Sequence, residues 1–369
     1  MLEFIRIQRF KTLLDAEFEL ADLNIFSGLN GMGKSSLIQV LLLLRQSFQQ
    51  GTLFDRGLLL RGEYATLGRG SDILAAQAES DSVIFLLKWL GTEPVPFQFD
   101  STNSELQPIA APVTLTREEA EGLSLFNRHF QYLSTDRIGP RMSYDISEYS
   151  IRDLNSLGNR GEYTAHFIAE NGLKPLPISE LRHERATTLT LIDNLNQWMS
   201  EFSPGLRVHA TVQPLMNAVS LSYAFQQGDY VTDDFNPHNV GFGLTFVLPV
   251  ITAILRSSPG DLLIIENPES HLHPAGQAML GRLCAMAANG GVQLILETHS
   301  DHFLNGVRVA VREGVIGPEG VRLFFLERHD FDSFHASLVQ CPEIDEEGRV
   351  DHWPDGFFDE WGKQLERLL

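Results

Sequence analysis

The stretch at residues 28–35, GLNGMGKS, constrains this chain more than any other, because it fits the G-x-x-x-x-G-K-[ST] pattern and has the flanking elements which that pattern requires. The mostly apolar residues 23–26 precede it and the helix-like run 37–44 follows, so the order is strand, glycine turn, helix. Gly28, Gly31 and Gly33 permit a tight turn and a close backbone approach to oxygen atoms. Consecutive N–H groups and the positive end of the next helix then face an anionic phosphate. Lys34 is placed to reach β- and γ-phosphates, and the Ser35 hydroxyl to hold Mg²⁺. Asn30, Gly31, Gly33, Lys34, Ser35 and Ser36 are therefore the candidate nucleotide contacts on this side. The plainer alternative, a glycine turn that happens to contain a lysine, explains neither flank.

Charge and composition narrow the partners. The 48 acidic residues against 28 basic ones, a formal charge of −20, argue against a general nucleic-acid coat, which needs clustered Lys and Arg; a local basic groove remains open. Cys284 and Cys341 are too few for a disulfide framework or a zinc ribbon, which fits a reducing cytoplasm. The opening MLEFIRIQRF reads as a strand and has no signal-peptide pattern. The longest apolar run, 240–255, is too short for a bilayer and is broken by Gly241, Gly243 and Pro249, so no membrane span is expected.

Taken in order, the first residues alternate with period two, change phase at Phe4-Ile5, and alternate again at Ala16, Phe18 and Leu20, a two-stranded start leading into the glycine loop. The helix after Lys34 is apolar on all sides and should be buried. Residues 83–87 read as a strand, and TREE at 116–119 fits a capping box. In STDRIGPR, Arg137 and Arg141 flank a Gly-Pro turn, where they either meet a phosphate or partner carboxylate or lie on a solvated loop. Leu191, Ile192, Leu195, Trp198, Met199 and Phe202 recur at helical spacing, and residues 206–212 and 219–223 alternate as two strands.

Residues 261–270, DLLIIENPES, form an apolar run ending in acids, the pattern of a buried parallel strand whose carboxyl end meets a ligand. Glu266 there is placed to orient Mg²⁺. A second such run, 292–296, ends in ETHSDH and puts His299 within reach of a γ-phosphate. Between the two loop-bearing halves, NVGFGLTFVLP at 239–249 opens a helix with two glycines, a second anion site. One chain with one phosphate loop has no evident internal use for it, whereas two facing chains do.

These segments resemble the ATP-binding-cassette ATPases of the SMC and RecF kind: GLNGMGKS their phosphate loop, GFGLTF their signature motif, IIENPESHLHP their acidic strand and D-loop, and ETHSDHFLNGVR their switch-histidine segment. With YLSTDRIGPR and the tail WPDGFFDEWGKQL, the whole is similar to a bacterial family of compact stand-alone ATPases whose C-terminal domain has no assigned function, some encoded beside nucleases or other effectors in phage-defence loci. The resemblance implies a head-to-head homodimer around two ATP molecules, with Gly241 and Gly243 capping the partner's γ-phosphate and His299 sensing it. It also exposes departures. The family's loop glutamine has no clear counterpart, Gln77 being the nearest candidate, and Gly241 replaces the signature serine. Asn267 stands where these ATPases carry the glutamate that orients water, and an amide cannot accept the proton. General-base assistance is worth ~10² to 10⁴ in rate, so turnover should be slow unless Glu269, His271 or His273 takes over. The catalytic candidates are therefore Glu266, Asn267, Glu269 and His299, and the metal ligands Ser35 and Glu266.

The expected fold is an α/β ABC-type ATPase head with a mostly parallel central sheet, N-terminal antiparallel strands and a helical insertion. The expected divisions are an N-terminal half over 1–90, a helical or irregular insertion over 91–205, a C-terminal half over 206–320 and an extension over 321–369. The expected function is ATP-dependent dimerisation and slow hydrolysis gating a separate effector protein, a nuclease or another enzyme, in phage defence. Two other readings stand beside it. One is a DNA-engaging repair clamp using Arg137, Arg141, Arg152 and Arg160; the other is a nearly inactive nucleotide-gated scaffold. His271, His273, His299 and His302 lack a recognisable zinc spacing. Trp353, Phe357, Phe358 and Trp361 either dock a partner or pack onto the chain's own core.

Overall fold

A computed structural model describes residues 1–29, 31–101, 109–111, 113–331 and 334–368, so the candidate contact Asn30 lies outside the described residues. Along the chain the strands are β1 (Leu2–Phe10), β2 (Leu13–Glu19), β3 (Leu23–Gly28), β4 (Ser82–Trp89), β5 (Val95–Asp100), β6 (Ile109–Ala110), β7 (Phe130–Leu133), β8 (Leu206–Gln213), β9 (Ala218–Gln227), β10 (Tyr230–Val231), β11 (Leu262–Glu266), β12 (Gln293–Glu297), β13 (Val321–Phe331) and β14 (Phe334–Gln340). The helices are α1 (Lys34–Gln49), α2 (Gly70–Ile73), α3 (Arg117–Glu121), α4 (Thr164–Asn171), α5 (Leu191–Phe202), α6 (Phe242–Leu255), α7 (Pro274–Asn289), α8 (Asp301–Arg312) and α9 (Glu360–Leu368). They divide between two units, one of Met1–Asn127, Val321–Asp345 and Val350–Leu369, the other of Arg128–Gly320 and Glu346–Arg349.

In the first unit an antiparallel sheet runs β2-β1-β4-β5-β6. The phase change at Phe4-Ile5 appears as a register shift between Leu2 and Phe4 against β4, an irregularity that turns Ile5 and Ile7 inward. The predicted capping box is present, with Thr116 accepting from the Glu119 N–H at the start of α3. Every residue of β3 is buried, and β3 pairs in parallel with β13, from Leu23 against Val321 to Gly28 against Leu326. β13 in turn pairs antiparallel with β14, so the stretch expected to be an extension supplies the strand beside the phosphate-loop strand. Phe26 stacks on Phe324 with centroids 4.6 Å apart, and Phe18 meets Phe324 edge-on at 5.5 Å. Phe357 is buried edge-on against Phe325, so it folds back onto the chain's own core; Trp353 and Phe358 meet its ring, Trp353 remaining exposed, and the Trp361 side chain lies outside what the structure describes.

The stretch 91–205 is not uniformly helical or irregular. It contributes β5, β6 and β7 as well as helices, because Val95, Phe97 and Phe99 alternate inward and Phe130 to Leu133 form a short buried run. In the second unit β12-β11-β7 is parallel, with Glu266 the register partner of Glu297. The expected hairpin is β8 and β9, and the helical stripe of Leu191, Leu195, Trp198 and Met199 is buried on α5. α7 and α8 pack through glycines: a Cβ on Gly281 would sit 2.3 Å from the Phe303 carbonyl oxygen, and one on Gly306 2.0 Å from that of Ala278. Neither contact leaves room for a methyl group.

Gly306→Ala must push α7 and α8 apart, and overpacking of this kind costs about 1–3 kcal/mol or more. The expected result is a lower urea midpoint with an unchanged slope, read by circular dichroism.

Candidate functional site

In the first unit the candidate nucleotide contacts lie on the loop between β3 and α1. Gly28 has φ +143° and a Cβ there would lie 2.2 Å from the Leu326 carbonyl oxygen, so the strand ends in a residue that only glycine can supply. Gly33, with φ +88°, is the left-handed residue before α1, and a side chain would strike the hydroxyls of Ser337 and Thr12. A Cβ on Gly31 would meet nothing within 4 Å, which leaves the loop's outer face open to a ligand. Lys34 is buried, and its Nζ donates to the carbonyl oxygens of Gly28 at 2.7 Å and Leu29 at 2.9 Å. The ammonium is thereby held inside the loop it would use to reach a phosphate. Ser35 is half-buried and Ser36 is buried, with its N–H donating to the Gly33 carbonyl. Gln77 is exposed in the turn that follows α2 and is not at a strand end.

In the second unit the carboxyl ends of β11 and β12 carry the acids. Glu266 accepts a hydrogen bond from Tyr132 Oη at 2.9 Å, and its pKa is pushed up by burial and by Glu297. Glu269 is 8% exposed; its Oε1 accepts from the His299 N–H at 3.1 Å. Burial pushes the Glu269 pKa up too, against the pull of hydrogen bonds and of Arg137. Asn267 has φ +44°, a left-handed conformation that asparagine tolerates better than most residues, and its N–H donates to the Glu297 carbonyl at 2.7 Å. The buried Asn267 Oδ1 and Glu269 Oε2 have no hydrogen-bond partner among the described residues. Unpartnered buried acceptors of this kind are what a cation with its water shell would satisfy, so the donor set fits a hard divalent ion.

Two residues organise these acids that sequence reasoning placed elsewhere or missed. Arg137 is neither a phosphate arm nor a solvated loop residue. It is 2% exposed, and its guanidinium donates to the carbonyl oxygens of Ser134 at 3.0 Å, Glu266 at 2.8 Å and Asn267 at 2.6 Å. Desolvation pulls its pKa down to about 10, opposed by Glu269 and Glu266. Tyr132 has a strongly raised pKa from burial and from Glu266, so it remains a donor. The signal for Tyr132 was a polar tip ending a buried run; nothing in the pattern marks Arg137 as buried.

The imidazoles separate. His299 is exposed at the end of β12, with its backbone tied to Glu269. The ring of His271 lies edge-on against Phe242 at 5.1 Å and Phe246 at 4.9 Å, and His273 Nδ1 accepts from the Ala275 N–H to cap α7. Both of those rings serve local structure, which leaves Glu269 as the carboxylate best placed beside Asn267. The two glycines at the start of α6 differ in their reasons. A Cβ on Gly243 would lie 2.4 Å from the His271 carbonyl oxygen, whereas one on Gly241 would meet nothing within 4 Å. Gly241 supplies no side-chain cap, and it and Phe242 are exposed, so the helix presents free N–H groups outward. A groove of about 350 Å³ lies beside it, lined by Gly241, Gly243, His271 and His273 among others.

Residues 23–305 match the family model described as "AAA domain, putative AbiEii toxin, Type IV TA system", and residues 316–368 match "Protein of unknown function (DUF3696)". The structure is similar to an SMC head bound to the C-terminal winged-helix domain of ScpA, with TM-score 0.50 and 10% identity over 92% of this chain and 97% of that one. It is also similar to the SMC head with an extended coiled coil bound to the C-terminal domain of ScpA, from Pyrococcus furiosus, with TM-score 0.55 and 12% identity over 100% and 99% of the two chains. No curated protein matches. The chain belongs to this AAA-domain family, has the mixed α/β fold of SMC heads, and is a P-loop ATPase.

The raised pKa of Glu269 makes its contribution to stability depend on pH. A carboxyl whose pKa is higher folded than unfolded favours folding below the unfolded value, near 4.3, and loses that contribution as pH rises through the folded value. Glu269→Gln removes the buried charge and keeps an acceptor for His299. Its thermal midpoint is expected to exceed the wild type at pH 8 and to converge on it as pH falls toward 4.

Proposed function

We propose that this P-loop ATPase closes head to head with a second copy around ATP, hydrolyses it slowly, and so gates a separate effector protein, a nuclease or another enzyme, in defence against phage. The observation that carries the reading is the start of α6. It is an outward-facing, uncapped helix terminus with Gly241 in open space, in a chain with one phosphate loop. A helix end of this kind suits the γ-phosphate of a nucleotide held by another copy.

The residue roles follow the family motifs. Lys34 and the N–H groups of Gly31, Gly33 and Lys34 hold the phosphates, with Asn30 in the same loop and Ser36 beside it; Ser35 and Glu266 are the magnesium ligands; Gly241 and Gly243 cap the partner's nucleotide; His299 senses the γ-phosphate. Magnesium, where bound, supplies charge neutralisation on the phosphates. Arg137 and Tyr132 hold the acids in place. Asn267 orients water by hydrogen bonding alone, and Glu269, two residues further on, takes its proton. Because that base is displaced from the usual position, turnover is slow and the nucleotide-bound dimer is long-lived.

The defence reading is supported by the family's toxin–antitoxin description, and a docked protein partner by the ScpA domains bound to the two SMC heads. The duplex-clamp alternative has less support. Of its four arginines, Arg137 is buried, Arg152 pairs with Glu148 and Glu170, and Arg160 pairs with Asp136. Among the described residues no helix is long and apolar enough to cross a membrane; a cytoplasmic setting belongs to the proposal.

Light scattering of the purified chain with ATP and magnesium tests the dimer. Wild type is expected to double in mass, Lys34→Ala to stay monomeric for want of nucleotide, and Gly241→Asp to bind ATP yet stay monomeric. Gly241 has the space for a side chain and an aspartate caps a helix well, so that variant keeps its fold while placing a carboxylate against the partner's phosphate. A wild type that stays monomeric with ATP bound contradicts the reading.

A further inference from the structure

The second unit contains a cavity of about 400 Å³ at the amino ends of β7 and β11, bounded by Arg128 and His129 just before β7 and by Ser258 ahead of β11. Glu266 and Glu297 stand at the opposite, carboxyl ends of these parallel strands, on the order of 15 Å away along a five-residue strand. The cavity is thus distinct from the acids that serve the nucleotide. Its size falls in the ~300–1,000 Å³ range of small-molecule sites.

Its chemistry is one-sided. Arg128, Arg152, Lys174 and Arg256 line it, and among the described residues no aspartate or glutamate does. Arg152 is neutralised by Glu148 and Glu170, and Asp261 is engaged by His129 at 2.6 Å and by the Ser258 N–H. Arg128 and Lys174 are exposed and have no ion-pair partner among the described residues. The deepest cation is Arg256, 8% exposed. Its one described hydrogen bond goes to the neutral Gln131 Oε1 at 2.8 Å, and its buried Nε has no partner. Burial pulls its pKa down to about 10. Asp261 acts on it through space without a hydrogen bond, so the guanidinium is taken out of water with no carboxylate bound to it, a costly arrangement that an entering anion relieves. One wall is apolar, with Phe167 under the Arg256 guanidinium at 5.6 Å, so the cavity offers a flat greasy face beside its charges.

We propose that this cavity binds a phosphorylated small molecule, its phosphate held by Arg256, Arg128 and Lys174 and its apolar portion against Phe167. Arginine supplies paired N–H donors for phosphate oxygens and lysine a mobile point charge. The proposal does not depend on the dimer, because every residue in it belongs to one unit of one chain.

The experiment is calorimetric titration of the full chain carrying Lys34→Ala, which disables the phosphate loop, with adenosine monophosphate and separately with inorganic pyrophosphate at low salt. The expected result is saturable binding of at least one probe, weakened tenfold or more in the added double variant Arg128→Glu, Lys174→Glu. Both substitutions lie on exposed side chains, and an unchanged thermal midpoint checks the fold. Tighter binding of adenosine monophosphate assigns the Phe167 wall to a base; equal binding assigns recognition to the phosphate alone. Absence of saturable binding by both probes, or a weakening of less than tenfold in the double variant, overturns the proposal.

Discussion

Two buried carboxylates, Glu269 and Glu297, and the half-buried Glu266, at the ends of two parallel strands and set against the buried Arg137 guanidinium, are the constraint on which the second unit depends. Glu266 and Glu297 are register partners on β11 and β12, and Glu269 follows in the next turn. In a low-dielectric setting such charges repel and resist ionisation, which is why burial heads the causes of the raised pKa at both Glu266 and Glu269. Arg137 answers them without forming a simple salt bridge. It binds the carbonyl oxygens of Glu266 and Asn267, fixing the backbone, and contributes its field to the side chains. Tyr132 adds a neutral donor. What is left over is negative charge and two unpartnered acceptors, Asn267 Oδ1 and Glu269 Oε2. That remainder is costly to bury, and its oxygen donors fit a hard divalent cation.

The backbone explains why this strand end reads ENPE. At φ +44° an asparagine is tolerated where a glutamate would be strained, so the residue that usually orients water is replaced by one suited to the turn. The same turn leads into Glu269, whose Oε1 takes the His299 N–H and so links the ends of β11 and β12. The turn's backbone geometry thus falls to Asn267 and the link between the two strand ends to Glu269. The glycines divide in a similar way: Gly28 and Gly243 are needed because carbonyl oxygens lie where a Cβ would go, while Gly31 and Gly241 leave space that a ligand could use.

Much of the candidate site was legible because its signals are local. A glycine loop between a strand and a helix, and apolar runs ending in acids, reveal themselves within a dozen residues, and so did the fold class that follows from them. What escaped depends on pairing across long stretches of chain. β13 reads as a part of the core only once it lies beside β3, some 300 residues earlier in the sequence. Arg137 looks like a loop arginine because periodicity carries no information on whether a polar side chain turns inward to carbonyl oxygens. The positive φ values of Asn267 and His271 are likewise invisible to a periodicity reading. Asn30 lies outside the described residues, and its role rests on its place in the loop.

Slow ATP hydrolysis with Glu269 as the base is the proposed chemistry of this chain. Single-turnover hydrolysis of ATP by wild type and by Glu269→Gln, with nucleotide binding followed in parallel, tests it most directly. The account predicts a wild-type rate above background, and a loss of about 10² or more in Glu269→Gln with ATP binding retained. An unchanged rate in Glu269→Gln would place the base elsewhere, and a wild-type rate at background would make the chain a nucleotide-held scaffold.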